Sequence, residues 1–209
     1  MNNVALEFKN ITFRYGEHSN GTPILKNMNL HIREGEFISI VGPSGSGKST
    51  LFKLITGLEQ PSEGEIFLRN RLAISRLGQV GYMPQQDLLL PWRTIMENAL
   101  LPLEIKGVKK HVALQNVIEL LEEFGLKGVE NFYPGELSGG MRQRVSFLRT
   151  IVSGSKILLL DEPFSALDAI TRLSLQEWLL SQWQKRKETI VFITHDVNEA
   201  LFLSDRILL

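Results

Sequence analysis

Residues 42–50 read Gly42-Pro43-Ser44-Gly45-Ser46-Gly47-Lys48-Ser49-Thr50, a glycine-rich run that ends in Lys-Ser-Thr. Glycines let a backbone curl so that successive N–H groups point inward, the geometry that cradles a phosphate. The flanking residues suit such a turn. Phe37-Ile38-Ser39-Ile40-Val41 is a short apolar run of the kind that forms a buried strand. Leu51, Leu54 and Ile55 recur at helical spacing and Gly57 supplies a stop, so a helix is expected over 49–56. That helix aims its N-terminal amides and positive partial charge at the loop. Lys48 can neutralise β- and γ-phosphates, and the Ser49 hydroxyl can ligate Mg2+. The run matches the phosphate-loop pattern in full and points to a nucleoside triphosphate, without saying what is done with it.

Ile157-Leu158-Leu159-Leu160-Asp161-Glu162 sets two carboxylates at the end of a second apolar run. Ligands of open parallel sheets sit beyond the carboxyl ends of the strands. Beside a phosphate loop, Asp161 is the natural indirect Mg2+ ligand, and Glu162 is placed to orient or deprotonate an attacking water. Standing alone, an Asp-Glu pair is as readily a polar strand end that caps the next turn.

Further strands are expected over 4–13, 64–68, 79–83 and 189–193, and helices over 141–152, 170–183 and 197–202. From about residue 87 to 154 the pattern is helical. There Leu114, Val117, Ile118, Leu121 and Phe124 mark one face, and Gly125 follows as a cap. Apolar strands alternating with helices give an α/β fold with a mainly parallel sheet covered on both faces. Residues 205–209 look like a strand barely begun, so the chain is expected to be a fragment.

Composition narrows the classes. Lys plus Arg and Asp plus Glu both number 23, so the net charge is zero and no global nucleic-acid footprint exists. No apolar run approaches the roughly 18 residues of a membrane span. The first residues carry no basic-then-apolar signal pattern. With no cysteine, disulfides and thiol chemistry are excluded. A cytosolic protein that reaches a membrane through a partner is the expectation.

Leu137-Ser138-Gly139-Gly140-Met141-Arg142-Gln143-Arg144 decides the family. Ser138 reads as a helix N-cap. Two glycines in a first helical turn cost about 0.5–1 kcal/mol each, which close approach of the backbone to an anion explains. With this segment the chain resembles the ATP-binding-cassette (ABC) ATPases along essentially its whole length. The resemblance implies a P-loop NTPase fold with a mainly parallel core sheet, an N-terminal antiparallel β subdomain and an inserted α-helical signature subdomain. It implies one ABC ATPase domain over 1–209, with a RecA-like core and β subdomain in about 1–86 and 155–209, and the helical subdomain in about 87–154.

The same resemblance implies that Ser138, Gly139 and Gly140 bind the γ-phosphate of ATP held by a second copy, giving a homodimer that sandwiches ATP. Tyr15 corresponds to the aromatic that stacks on adenine, and Gln85 to the glutamine that touches Mg2+ and the attacking water. Asp168, in Ser165-Ala166-Leu167-Asp168, belongs to the loop that crosses the dimer interface, and His195 contacts the γ-phosphate. The expected cofactors are ATP and Mg2+. Relatives commonly carry small residues where this chain has Phe147 and Thr150.

An importer subunit, a soluble ABC ATPase of DNA repair or translation, and a small-molecule kinase all use phosphate loops. The signature disfavours the kinase. Only about ninety residues separate phosphate loop and signature, too few for the long coiled coils of the DNA-linked relatives, and translation types carry two cassettes. Asp87-Leu88-Leu89-Leu90-Pro91-Trp92 is similar to the nitrate, sulfonate and taurine importer branch. It is expected either to dock a membrane partner or to pack inside the helical subdomain. The partners implied are integral-membrane permease subunits and a substrate-binding protein, with no nucleic acid, on the cytoplasmic side of the membrane.

Overall fold

A computed structural model describes residues 3–16, 22–43, 45–165 and 167–209. In chain order the elements are β1 (Val4–Phe13), β2 (Leu25–Arg33), β3 (Phe37–Val41), α1 (Lys48–Thr56), β4 (Glu63–Leu68), β5 (Arg71–Leu72), β6 (Gly81–Met83), α2 (Ile95–Ile105), α3 (Lys110–Glu123), a 3-10 turn (Pro134–Glu136), α4 (Gly139–Val152), β7 (Ile157–Asp161), α5 (Ala169–Arg186), β8 (Thr189–Thr194), α6 (Val197–Leu203) and β9 (Arg206–Leu208). They fall into two compact units, Met1–Val80 with Leu180–Leu209, and Gly81–Leu179. Among the described residues no helix is long and apolar enough to cross a membrane.

In the first unit an antiparallel sheet runs in the order β2-β1-β4-β5. Ala5, Leu6, Phe8, Ile11 and Phe13 of β1 are buried, and the pairing shifts register around Asn10, whose φ is +54°. Asn10 and Asn29 bridge the shift through both side chains. A Cβ on Gly64 would overlap the carbonyl oxygens of Lys9 and Asn10, so β4 approaches this bulge only with glycine there. The parallel part of the unit places β3 between β8 and β9, with Phe37 opposite Ile190 and Ile38 opposite Arg206. Every residue of β3 and β8 is buried, as parallel strands covered on both faces require.

Helix α1 follows β3 and closes on Gly57 (φ +83°), whose amide bonds Leu54 and Lys53 carbonyls. Arg76, only 2% exposed, donates to the carbonyls of Leu54, Ala73 and Glu59. The C-terminal end of the helix behind the phosphate loop is thereby tied to the sheet connection.

In the second unit β6 and β7 pair in parallel, Tyr82 opposite Leu159 and Met83 opposite Leu160. Thr94 and Glu97 form a reciprocal capping box at the start of α2. The buried face of α3 is Ala113, Val117 and Leu121. Ile118, assigned to that face from spacing, is 54% exposed, because the helix buries a narrow stripe rather than the full arc. Phe124, Phe147 and Trp178 stack edge and face with centroids 4.7–5.9 Å apart, which gives the large residue at 147 its place.

Candidate functional site

In the first unit, β3 delivers the chain into the glycine turn and α1 begins at Lys48. Gly45 (φ +82°) has open space where a Cβ would stand. Gly47 (φ +93°) is the helix N-cap, with no side chain capping it and no acidic residue in the first turn. No first-turn carboxylate thus competes for those amides, and the turn is suited to an anion. Lys48 Nζ donates to the Gly42 and Pro43 carbonyls at 2.8 Å each, which folds the ammonium back over the loop. Ser46 donates its amide to Pro43 O at 3.2 Å. Ser49 is exposed and Thr50 buried. Ser44 lies outside the described residues.

Tyr15 is 46% exposed. Its ring meets Phe13 edge-on at 4.8 Å, and its hydroxyl reaches Thr50 Oγ1 and Lys53 Nζ, each at 3.3 Å. One ring edge is therefore pinned to α1, a link no local motif signals. His195 is exposed directly after β8. Its position is set by a tight turn in which Thr194 Oγ1 accepts from the Asp196 amide and donates to Glu199, while Asp196 caps α6.

In the second unit, Asp161 is the last residue of β7 and is 8% exposed. The Tyr82 hydroxyl donates to Asp161 Oδ2 at 3.4 Å. Burial first, then the Asp161 charge and hydrogen bond, push the Tyr82 hydroxyl up to about 12, which keeps it a proton donor. Glu162 follows with φ +44°, a left-handed conformation that costs a non-glycine residue energy. Gln85 Nε2 donates to Glu162 Oε2 at 3.2 Å and to Ser165 Oγ at 3.3 Å. The structure thus brings Gln85, Glu162 and the loop after Glu162 together, and it leaves the carbonyl end of the Gln85 amide as the atom suited to a cation.

Ser138 caps α4 by accepting from the Met141 amide at 3.3 Å. Gly139 has only ordinary contact distance to Leu167. Gly140 is different: a Cβ there would stand 2.8 Å from Thr171 Cγ2. A Cβ at 140 would require the Thr171 side chain to shift, a packing constraint from α5 that stands beside the close approach to an anion expected from sequence. Asp168 accepts from the Ile170 and Thr171 amides at 3.1 Å. Hydrogen bonds from Thr171 hold its carboxyl below the usual range. Asp168 is the N-cap of α5, a role its sequence context did not announce. Gln85, Gly139, Arg142, Ser165 and Leu167 share an open cleft of about 600 Å³.

This packing makes a specific prediction. Gly140→Ala should lower unfolding stability by about 1 kcal/mol through the clash, the low end of overpacking because the Thr171 side chain can shift. Gly140→Ala with Thr171→Ala should recover most of it, measured by denaturant unfolding. No recovery in the double variant would remove the Thr171 contact as the cause.

A glycine turn between a buried parallel strand and an uncapped helix, with a carboxylate pair ending a second parallel strand, defines a P-loop nucleotide-binding domain. A family profile described as ABC transporter matches residues 25–165. The chain is 48% identical to the formylaminopyrimidine import ATP-binding protein ThiZ of Halalkalibacterium halodurans, over 97% of this chain and 78% of that protein. It is 43% identical to the aliphatic sulfonates import ATP-binding protein SsuB of Bacillus cereus, over 99% and 81%. Among solved structures it is similar to a dimeric post-hydrolysis state of the ATP-binding cassette MJ0796 bound to ADP and Pi, with a TM-score of 0.83, 36% identity and coverage of 97% and 93%. The chain belongs to the ABC transporter family, as an ATP-binding subunit with ATPase activity.

Proposed function

We propose that the chain drives an importer of a small solute, working as a homodimer that shares each ATP between two copies. The observation that carries this reading is the Ser138-capped, glycine-led start of α4, a second anion-suited helix N-terminus in a chain that already has one at α1. One nucleotide cannot easily fill both within one copy. In this reading Gly42, Pro43, Ser44, Gly45, Ser46, Gly47, Lys48 and Thr50 hold the triphosphate and Tyr15 stacks on adenine. Ser138, Gly139 and Gly140 close on the γ-phosphate of the other copy's ATP, with Asp168 at the interface. Glu162 takes the proton of the attacking water, Gln85 orients that water, and His195 contacts the γ-phosphate as attack proceeds in line. Ser49, Gln85 and Asp161 would hold Mg2+, which neutralises charge on the β- and γ-phosphates. Residues 87–154 serve as a helical subdomain inserted in the core.

The importer branch is supported by the names of the relatives, which import a formylaminopyrimidine and aliphatic sulfonates. A small oxyanion such as nitrate, a sulfonate or taurine is the proposed solute class, and a small heterocycle is the other that these relatives favour. Permease subunits, a substrate-binding protein and a position on the cytoplasmic face of the membrane follow from the importer reading.

The docking segment has a more specific form than its sequence suggested. Leu89 is buried, whereas Leu88 is 57% and Trp92 71% exposed, so the apolar run divides between core and surface. Leu88 and Trp92 are the proposed contacts with the permease. Leu88→Glu with Trp92→Glu should abolish co-purification with the membrane subunits from detergent extracts while leaving ATP binding unchanged. Co-purification at the wild-type level would overturn this docking assignment.

A further inference from the structure

The segment between β6 and α2 is suspended from α4 by two arginines. Arg149 donates through both terminal nitrogens to successive backbone carbonyls, Asp87 O at 2.6 Å and Leu88 O at 2.8 Å. Arg142 lies two helical turns earlier on the same face of α4. Its Nε donates to Asp87 Oδ2 at 3.1 Å, and its NH1 donates to Leu137 O at 2.7 Å. Asp87 is therefore gripped at both backbone and side chain. The other Asp87 oxygen accepts from the Leu89 amide, and Leu88 takes φ +44°. That is an unfavourable conformation for a branched side chain and persists only when its surroundings hold it.

Two features give this grip a consequence. Leu137 immediately precedes Ser138, so Arg142 links Asp87 directly to the residue before the α4 cap. Leu88, whose carbonyl Arg149 holds, carries an exposed apolar side chain. A guanidinium fork can span two consecutive carbonyls in a fixed plane, which a lysine ammonium cannot reproduce.

We propose that Arg142 and Arg149 are positioning residues that lock the Asp87–Leu88 turn to the signature helix, Arg142 at the residue before the Ser138 cap and Arg149 toward its C-terminal end, so that load applied at Leu88 displaces Ser138 with it. This rests on the shared-ATP reading above and names the side chains that carry coupling within this unit.

The test uses the full chain with Glu162→Gln, whose MgATP-dependent dimerisation is followed by light scattering. If that parent does not dimerise, the shared-ATP reading itself fails. With a dimerising parent, Arg149→Met is expected to raise hydrogen exchange at the Leu89 and Leu90 amides and weaken the dimer, each by about tenfold, the size expected for losing a charge-assisted hydrogen-bond pair. Equilibrium ATP binding by the monomer should stay within about twofold. Arg149→Lys, which keeps charge and bulk, should show the same direction with a smaller change and covers the case in which the Met variant folds poorly. Arg142→Met should weaken the dimer likewise. Faster exchange with an unchanged dimer constant would make the arginines loop anchors only and overturn the proposal, as would no change in either.

Discussion

Glu162→Gln is expected to lower ATP turnover by about 10²–10⁴-fold, the usual cost of losing a general base and equivalent to about 3–5 kcal/mol of transition-state stabilisation. The same variant should shift from monomer to a long-lived dimer when MgATP is added. The substitution is close to isosteric. Glu162 Oε2 accepts from Gln85 at 3.2 Å, and the carbonyl oxygen of the substituted amide can accept the same bond, so the φ +44° turn after β7 need not rearrange. What disappears is the negative charge and the ability to take a proton. If ATP closes the dimer and hydrolysis reopens it, a protein that binds but barely hydrolyses accumulates closed. Turnover at the wild-type rate would remove Glu162 from the chemistry. Slow turnover with no dimer would keep Glu162 and refute the sandwich.

How much of this was legible from sequence depended on whether the determining contacts are local. The phosphate loop between β3 and α1, and Asp161 at the end of β7, could be read because strand, turn and helix lie next to each other in the chain. The Ser138 cap was legible for the same reason, since an N-cap bonds only three residues ahead. Strand β2 was not read. Asn27 and Asn29 interrupt its apolar pattern, and the strand is specified by pairing with β1. The packing of Gly140 against Thr171 was not legible, because Thr171 is a long-range neighbour. The split of the Leu88–Trp92 run, the pinning of Tyr15 by Lys53 and the Arg149 grip are likewise tertiary, and no spacing rule reports them. Asp168 shows a different limit. A loop residue matched to a family motif also serves as a plain helix cap, so a family role and a structural role can share one carboxylate.

Ser138→Arg is expected to leave ATP binding by the monomer intact and to eliminate MgATP-driven dimerisation, a loss of at least about 100-fold in the association constant, the effect of a hot-spot change of more than about 2.7 kcal/mol. Ser138 is exposed, so the new side chain does not disturb the core. Removing the cap to the Met141 amide costs about 1 kcal/mol, and a cation at a helix N-terminus adds about 0.3–1 kcal/mol. Together these stay well below the roughly 5–15 kcal/mol that holds a domain folded. Ser138→Ala isolates the cap: it loses the same hydrogen bond and adds no bulk, and it should dimerise with only a modest deficit. An arginine could in principle pair with a phosphate and mask the block. Ser138→Glu resolves that, since it has comparable reach, suits the helix dipole and repels the γ-phosphate. If Arg and Glu both abolish the dimer while Ala does not, the α4 N-terminus is where the second copy's nucleotide sits. If Arg and Glu dimerise like the parent, α4 presents no phosphate cradle, and Gly140 answers only to packing against Thr171.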